Sequence, residues 1–109
     1  MTTVKVVKRE GHIAAVEATG HSDFAEHGSD IVCAALSSVI QTAIMGLEKV
    51  AKIKDFSYYI ADEAGSLKIE TGDLSAEERH DADVILGTML CGVSDLAEGY
   101  PRFIKLEVK

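Results

Sequence analysis

"DIVCAALSSVIQTAIMGLEKVAK", residues Asp30 to Lys52, decides the fold. Apolar residues fall at Val32, Leu36, Val39, Ile40, Ala43, Leu47 and Val50, and spacings of three and four gather them into one stripe of an α-helix. Ser29 or Asp30 supplies the N-cap, because a short side-chain oxygen accepts from the N–H groups of the first turn. Gly46 inside the pattern either weakens the helix slightly or lets another element approach closely. A helix with a single apolar stripe needs a surface to bury it on, and strand patterns lie on both sides.

Upstream, "TTVKVVKR" alternates as a strand, and "HIAAVEATG" is its hairpin partner through Glu10-Gly11. Downstream, "FSYYIA" and "SLKIET" flank the turn-like "DEAG" and form a second hairpin. "SAEERHDADVILGTMLCGVSDLAEGY" opens with a capping-box pattern, Ser75 and Glu78, and runs a stripe through Ala82, Ile85, Leu86, Met89, Val93, Leu96 and Ala97. Gly99 and Pro101, the only proline, end this second helix. "FIKLEVK" closes the chain as a strand with Ile104, Leu106 and Val108 on one side. The order β-β-α-β-β-α-β implies an α+β fold: one mixed or antiparallel sheet of about five strands carrying two amphipathic helices, in a single domain over residues 1–109.

Composition narrows the function. The 109 residues are 47% hydrophobic without any Trp, so the small core rests on Val, Ile, Leu and Ala. The formal charge is −7, from 18 acidic and 11 basic residues, which disfavours sequence-independent nucleic-acid binding and favours a basic polypeptide partner. The start "MTTVKVVKRE" is charged and strand-like, with no signal-type apolar run, and no stretch is expected to be long and apolar enough to cross a membrane. A cytoplasmic location is therefore expected, with Cys33 and Cys91 as thiols rather than a disulfide.

"GHSDFAEHGSDIVC", from Gly20 to Cys33, holds the candidate chemistry. His21 follows the second strand, and Cys33 falls at about the third position of the expected helix. A helix packed back along the preceding strand brings imidazole and thiol to the same end of the sheet. The positive end of the helix macrodipole favours thiolate, and first-turn N–H groups, including Cys33's own, are candidate donors to an oxyanion. Asp30 opposes a second anion one turn away, less so if it spends its charge as the N-cap. Ser37 lies one turn beyond Cys33 on the same face, within reach of the histidine, the sulfur or the backbone. Gly20 and Gly28 bracket the loop as candidate hinges.

Blander readings stand beside this. A cysteine among apolar neighbours in a helix is commonly a small packed hydrophobe, and a loop histidine commonly does no more than hydrogen-bond. His27 is an alternative base. His21, His27 and Cys33, evenly spaced, suggest a zinc site with Asp23, Glu26 or water as fourth ligand, but the spacing matches no standard zinc pattern, and no metal is expected. Cys91 reads as a packed residue, His80 as solvated on a charged face, and at most one of Tyr58 and Tyr59 as core-facing. Phe24, apolar in a polar loop, would plug the site or touch substrate.

Gly20-His21, then Gly28-Ser29-Asp30-Ile31-Val32-Cys33-Ala34, then Ser37, together resemble the ribosomal-processing cysteine proteases, and "TMLCGVSDLAEGYP" resembles that family's Met-Leu run and Tyr-Pro ending. Ser22 departs from the alanine common after the histidine. The resemblance implies a cofactor-free, commonly homodimeric cysteine endopeptidase that removes a short N-terminal extension from a large-subunit ribosomal protein. It implies Cys33 as nucleophile and His21 as base, with Asp30 and Ser37 in supporting positions. The rival expectation is a non-catalytic dimeric module that binds a ribosomal protein while Cys33 is merely packed. Neither reading involves direct nucleic-acid or membrane contact.

Overall fold

A computed structural model describes residues 1–20, 26–61 and 66–109, with backbone only for residues 26–30. The elements are β1 (Thr2–Arg9), β2 (His12–Thr19), α1 (Glu26–Met45), a π-helical turn (Gly46–Val50), β3 (Phe56–Ala61), β4 (Ser66–Thr71), α2 (Ala76–Gly99) and β5 (Ile104–Val108). The strands form one sheet in the order β3-β4-β2-β1-β5. β5 runs parallel to β1 and every other pair is antiparallel, so the sheet is mixed and the fold is α+β as expected.

Strand alternation sorts residues onto two faces. Val4, Val6, Val16, Ala18, Leu67, Ile69 and Ile104 form a core with Val32, Leu36, Ile40, Ala43, Ile44 and Leu47 of α1 and Ala82, Leu86, Met89 and Val93 of α2. On the other parity, the strand registers place Tyr59, Lys68, Glu17, Lys5 and Glu107 in one row across all five strands. Opposite charges thus sit side by side along most of that row, which favours this register over its neighbours. Glu107 is held below the usual carboxylate range, chiefly by its hydrogen bond with Lys105, with the Lys109 and Lys5 charges adding.

The β1–β2 turn is made by Glu10 at φ 54° and Gly11 at φ 80°, the left-handed pair that a two-residue hairpin requires. The two helices approach closely where each presents a glycine. A Cβ on Gly46 would lie 3.2 Å from Ile85 Cγ2, and one on Gly92 would lie 3.1 Å from Val39 Cγ1. The helices therefore run antiparallel, and of the two roles considered for Gly46 the close approach is the one observed.

At the start of α2 the expected capping box is complete: Glu78 N donates to Ser75 Oγ at 3.1 Å and Ser75 N to Glu78 Oε1 at 3.0 Å. One turn on, Arg79 Nη1 donates to Thr71 Oγ1 at 3.1 Å and to the Ile13 carbonyl at 3.4 Å. Asp83 accepts from Ile13 N at 3.3 Å and pairs with His12 Nδ1 at 2.5 Å. These bonds fix α2 on the sheet at the end where β2 begins.

Three expectations are corrected. The first helix does not continue regularly to Lys52. Ala51 N donates to Gly46 O at 2.9 Å, five residues back rather than four, and the wider turn throws Val50 out to 80% exposure although the regular stripe includes it. Second, Ile31–Val50 does reach the length and mean hydropathy, 1.6, that a membrane crossing needs. Here much of that apolar surface belongs to the core, because Val32, Leu36, Ile40, Ala43, Ile44 and Leu47 are buried. Third, Cys91 is exposed rather than packed, because its angular position falls outside the buried line of Ala82, Leu86, Met89 and Val93.

Leu86 is fully buried and Val84 is 55% exposed on the same helix. Urea unfolding is expected to show Leu86→Ala losing about 3 kcal/mol, and Val84→Ala losing no more than about 0.5 kcal/mol.

Candidate active site

The end of β2 is a fixed corner. Gly20 follows Thr19 at φ 93°, a left-handed conformation that suits glycine. A Cβ at Gly20 would lie 2.6 Å from the Met1 carbonyl oxygen, so its space is already taken. Thr2, only 4% exposed, donates from Oγ1 to the Gly20 carbonyl at 3.4 Å and from its backbone N–H to the Phe103 carbonyl at 2.8 Å. The start of β1, the exit of β2 and the turn entering β5 therefore meet here. His21, Ser22, Asp23, Phe24 and Ala25, half of the loop for which Gly20 was expected to serve as a hinge, lie outside the described residues.

The first helix opens earlier than its cap signals suggest. It begins at Glu26, so neither Ser29 nor Asp30 is an N-cap, and Gly28 belongs to the helix rather than to a hinged loop. Glycine in a helix costs about 1 kcal/mol and, unlike proline, sets no steric block, so the packing of a long helix overrides the local signal. Counting from Glu26, Cys33 is the eighth helical residue, not the third.

That displacement changes the chemistry expected of the helix start. The macrodipole acts mainly within the first turn, so Cys33 lies beyond most of its effect. In the helical ladder the N–H of residue 33 pairs with the carbonyl of residue 29, which removes Cys33's own N–H as an oxyanion donor in this conformation. His27 and Asp30 are likewise helical, and their side chains are outside the described residues.

Cys33 is half-buried beside fully buried Val32, at the border of the apolar stripe, while Ile31 on its other side is 68% exposed. Ser37, one turn further along, is half-buried as well. A cysteine sealed in the core, as the inert reading requires, is not what the helix presents. Because α1 and α2 are antiparallel, the C-terminal end of α2 lies at the Cys33 end of α1, and it leads through Tyr100–Phe103 back to Thr2.

The remaining candidates separate cleanly. His80 is solvated, and its Nδ1 lies 3.3 Å from Asp81 Oδ1. Tyr58 and Tyr59 are 49% and 62% exposed, so neither is a core residue. Among the described residues no three His, Cys, Asp or Glu side chains cluster to hold a metal ion, and the proposed zinc ligands His21 and His27 fall outside that description. Sequence reasoning missed Thr2. Its signal was faint: a polar residue at the inward parity of Thr2, Val4 and Val6.

The family model for the cysteine protease Prp matches residues 1–105. The chain belongs to the Prp family of cysteine proteases. It is 36% identical over 113 residues to the ribosomal processing cysteine protease Prp of Staphylococcus aureus, covering all of both chains. The solved structure of S. aureus Prp with a substrate peptide superposes at a TM-score of 0.85, with 28% identity and complete coverage of both chains. S. aureus Prp with a covalently linked product peptide superposes at 0.82, again with 28% identity and complete coverage. Membership of Prp decides for the enzyme over the binding module. Of the two thiols, Cys33 stands in the motif and Cys91 is remote from it in sequence.

Replacing exposed Cys91 by alanine is expected to leave peptidase activity within about twofold of the parent, as for surface substitutions in general. A progress-curve comparison of the two proteins checks it.

Proposed function

We propose that this protease removes a short N-terminal extension from a large-subunit ribosomal protein precursor, using Cys33 as nucleophile and His21 as base. The family match over residues 1–105 carries this reading, because it includes the Gly20-His21 and Asp30–Ala34 motif segments. The ribosomal-processing name of the S. aureus relative and its complex with a substrate peptide support the substrate class.

The chemistry follows from the residue types. Cys33 thiolate adds to the scissile carbonyl carbon and gives a tetrahedral intermediate. The C–N bond then breaks as the His21 imidazolium gives its proton to the departing amine. Neutral His21 next takes a proton from water, whose oxygen attacks the thioester. The C–S bond breaks, and the extension leaves with a new carboxyl terminus as Cys33 is restored. Ser37, a turn beyond Cys33, is proposed to orient the sulfur or the imidazole by hydrogen bonding, and Asp30 to support the site from the turn before Cys33. The reaction needs no metal or organic cofactor.

The formal charge of −7 suits a substrate whose body is strongly basic, through steering rather than through contact at the cut bond. We further propose that the enzyme acts in the cytoplasm as a homodimer, without direct nucleic-acid or membrane contact.

Mass spectrometry of the extended precursor incubated with each protein is the direct test. The parent is expected to release the extension at one bond, and Cys33→Ala and His21→Ala to leave it intact; trimming at the same bond by Cys33→Ala overturns the nucleophile assignment. Raising salt from about 0.05 to about 0.5 M should lower kcat/KM on the full precursor more than on a short neutral junction peptide, because screening weakens long-range attraction.

A further inference from the structure

We propose that the outer edge of β3 and the groove beside it receive an extended acidic peptide segment, which joins the sheet as a sixth strand antiparallel to β3. The two edges of the sheet are unlike. β5 carries Lys105 and Glu107 along its length, and such charges guard an edge against pairing. β3, at the other end of the strand order, reads FSYYIA, with no charge and no proline, and β4 is the one described strand that pairs with it. Gly72 N donates to the Asp55 carbonyl at 2.8 Å, which makes residues 55 and 72 a hydrogen-bonded pair of the antiparallel ladder. Counting on by twos, Ser57 and Tyr59 turn their backbone groups to β4, so Phe56, Tyr58 and Ile60 turn theirs to the open edge.

The groove lies between the π-helical turn and β3, holds about 670 Å³ and has Ile53, Phe56 and Tyr58 on its walls. The Phe56 and Tyr58 rings stack with centroids 6.2 Å apart, yet Tyr58 is 49% exposed. The register sets Tyr58 opposite fully buried Ile69, so its ring belongs to the core side of the sheet, with no described strand beyond it as cover. Alternate side chains of an added strand fall on that same face and cover the ring.

Charge selects the occupant. Lys49, Lys52 and Lys54 also line the groove. Three of the eleven basic residues of a chain with net charge −7 thus fall within six positions. None of the three forms an ion pair with another described residue. Glu48 shares the groove, while nearby Asp55 commits its carboxylate to Asp73 N at 2.8 Å. Lys52 stands at φ 55°, where glycine is the residue at ease, so the backbone accepts strain to keep an ammonium there. The basic precursor proposed as substrate is repelled by such a cluster, so the partner here is a different, acidic polypeptide. The lysines precede β3, and an antiparallel strand brings its C-terminal end beside them, which places its acidic residues at that end. The open row of N–H and C=O groups favours a polypeptide over a nucleic acid, because only a polypeptide backbone can continue the ladder.

The test is fluorescence anisotropy with a labelled peptide of alternating Val and Thr that ends in Glu-Glu-Asp-Glu, and a control that ends in four lysines instead. The parent protein should bind the acidic peptide about tenfold more tightly than the basic one, and less tightly as salt rises from about 0.05 to about 0.5 M. Lys52→Glu combined with Lys54→Glu should weaken binding about tenfold and leave cleavage of the junction peptide unchanged. N-Methyl groups on alternate residues of the peptide should abolish binding in one register and spare it in the other, with the protein unaltered. Binding that survives methylation in both registers, that persists in the lysine variant, or that excess junction peptide displaces overturns the proposal. Absence of peptide binding overturns it too. In that event, binding of a labelled oligouridylate assigns the lysines to nucleic acid, and a dimer that Tyr58→Pro dissolves in sedimentation assigns the edge to a second copy.

Discussion

The burial of α1 on the sheet is the constraint on which the other features depend. Its six inward residues, Val32, Leu36, Ile40, Ala43, Ile44 and Leu47, all reach the core, and each larger one contributes about 1.5–3 kcal/mol by leaving water. That packing sets the rotation of the helix about its axis, and with it the angular position of Cys33, which follows Val32 directly. The sulfur is neither sealed in nor loosely displayed. The second helix completes the layer by crossing close to the first, which Gly46 and Gly92 permit. Its own position is tied to β2 through Arg79 and Asp83. Core packing and site geometry are thus one problem in this small protein.

The sheet shows how an acidic chain of this size manages its water-facing side. The row Tyr59, Lys68, Glu17, Lys5 and Glu107 spends two of its few lysines on cross-strand neighbours of opposite sign. The outer edge at β5 alternates Lys105 and Glu107 with apolar residues, which discourages pairing with another strand. The surplus negative charge is left elsewhere, notably in the first turn of α2, where Glu77 and Glu78 also favour the helix dipole.

Much of this was readable from residue order alone. Period-two and period-3.6 patterns are consequences of which atoms a strand or helix turns inward, so all five strands, both helices and the capping box at Ser75 were foreseeable. The start of α1 was not. Ser29 and Asp30 are good caps, but a cap preference is worth about 1 kcal/mol, and a long packed helix outweighs it. The π-turn was equally hidden, because Val50 continues the spacing that the backbone abandons at Gly46. The motif residues Cys33, Ser37 and Gly20 could be named at once. The hydrogen bond from Thr2 to the Gly20 carbonyl could not, since the two residues are distant in sequence and meet only through the pairing of β1 with β2.

The π-turn also acts as a phase adjuster. It holds one residue more than the α-turn it replaces, so Ala51 and the residues after it are rotated by roughly 100° relative to an uninterrupted helix. That rotation precedes Lys52 at φ 55° and the bond from Ile53 N to Leu47 O at 2.9 Å, which turn the chain back under the helix. From there Asp55 receives Gly72 N on its carbonyl and Asp73 N on its carboxylate, both at 2.8 Å, and β3 starts in step with β4. Shortening this turn by one residue would leave the helix intact but out of gear with the hairpin it feeds.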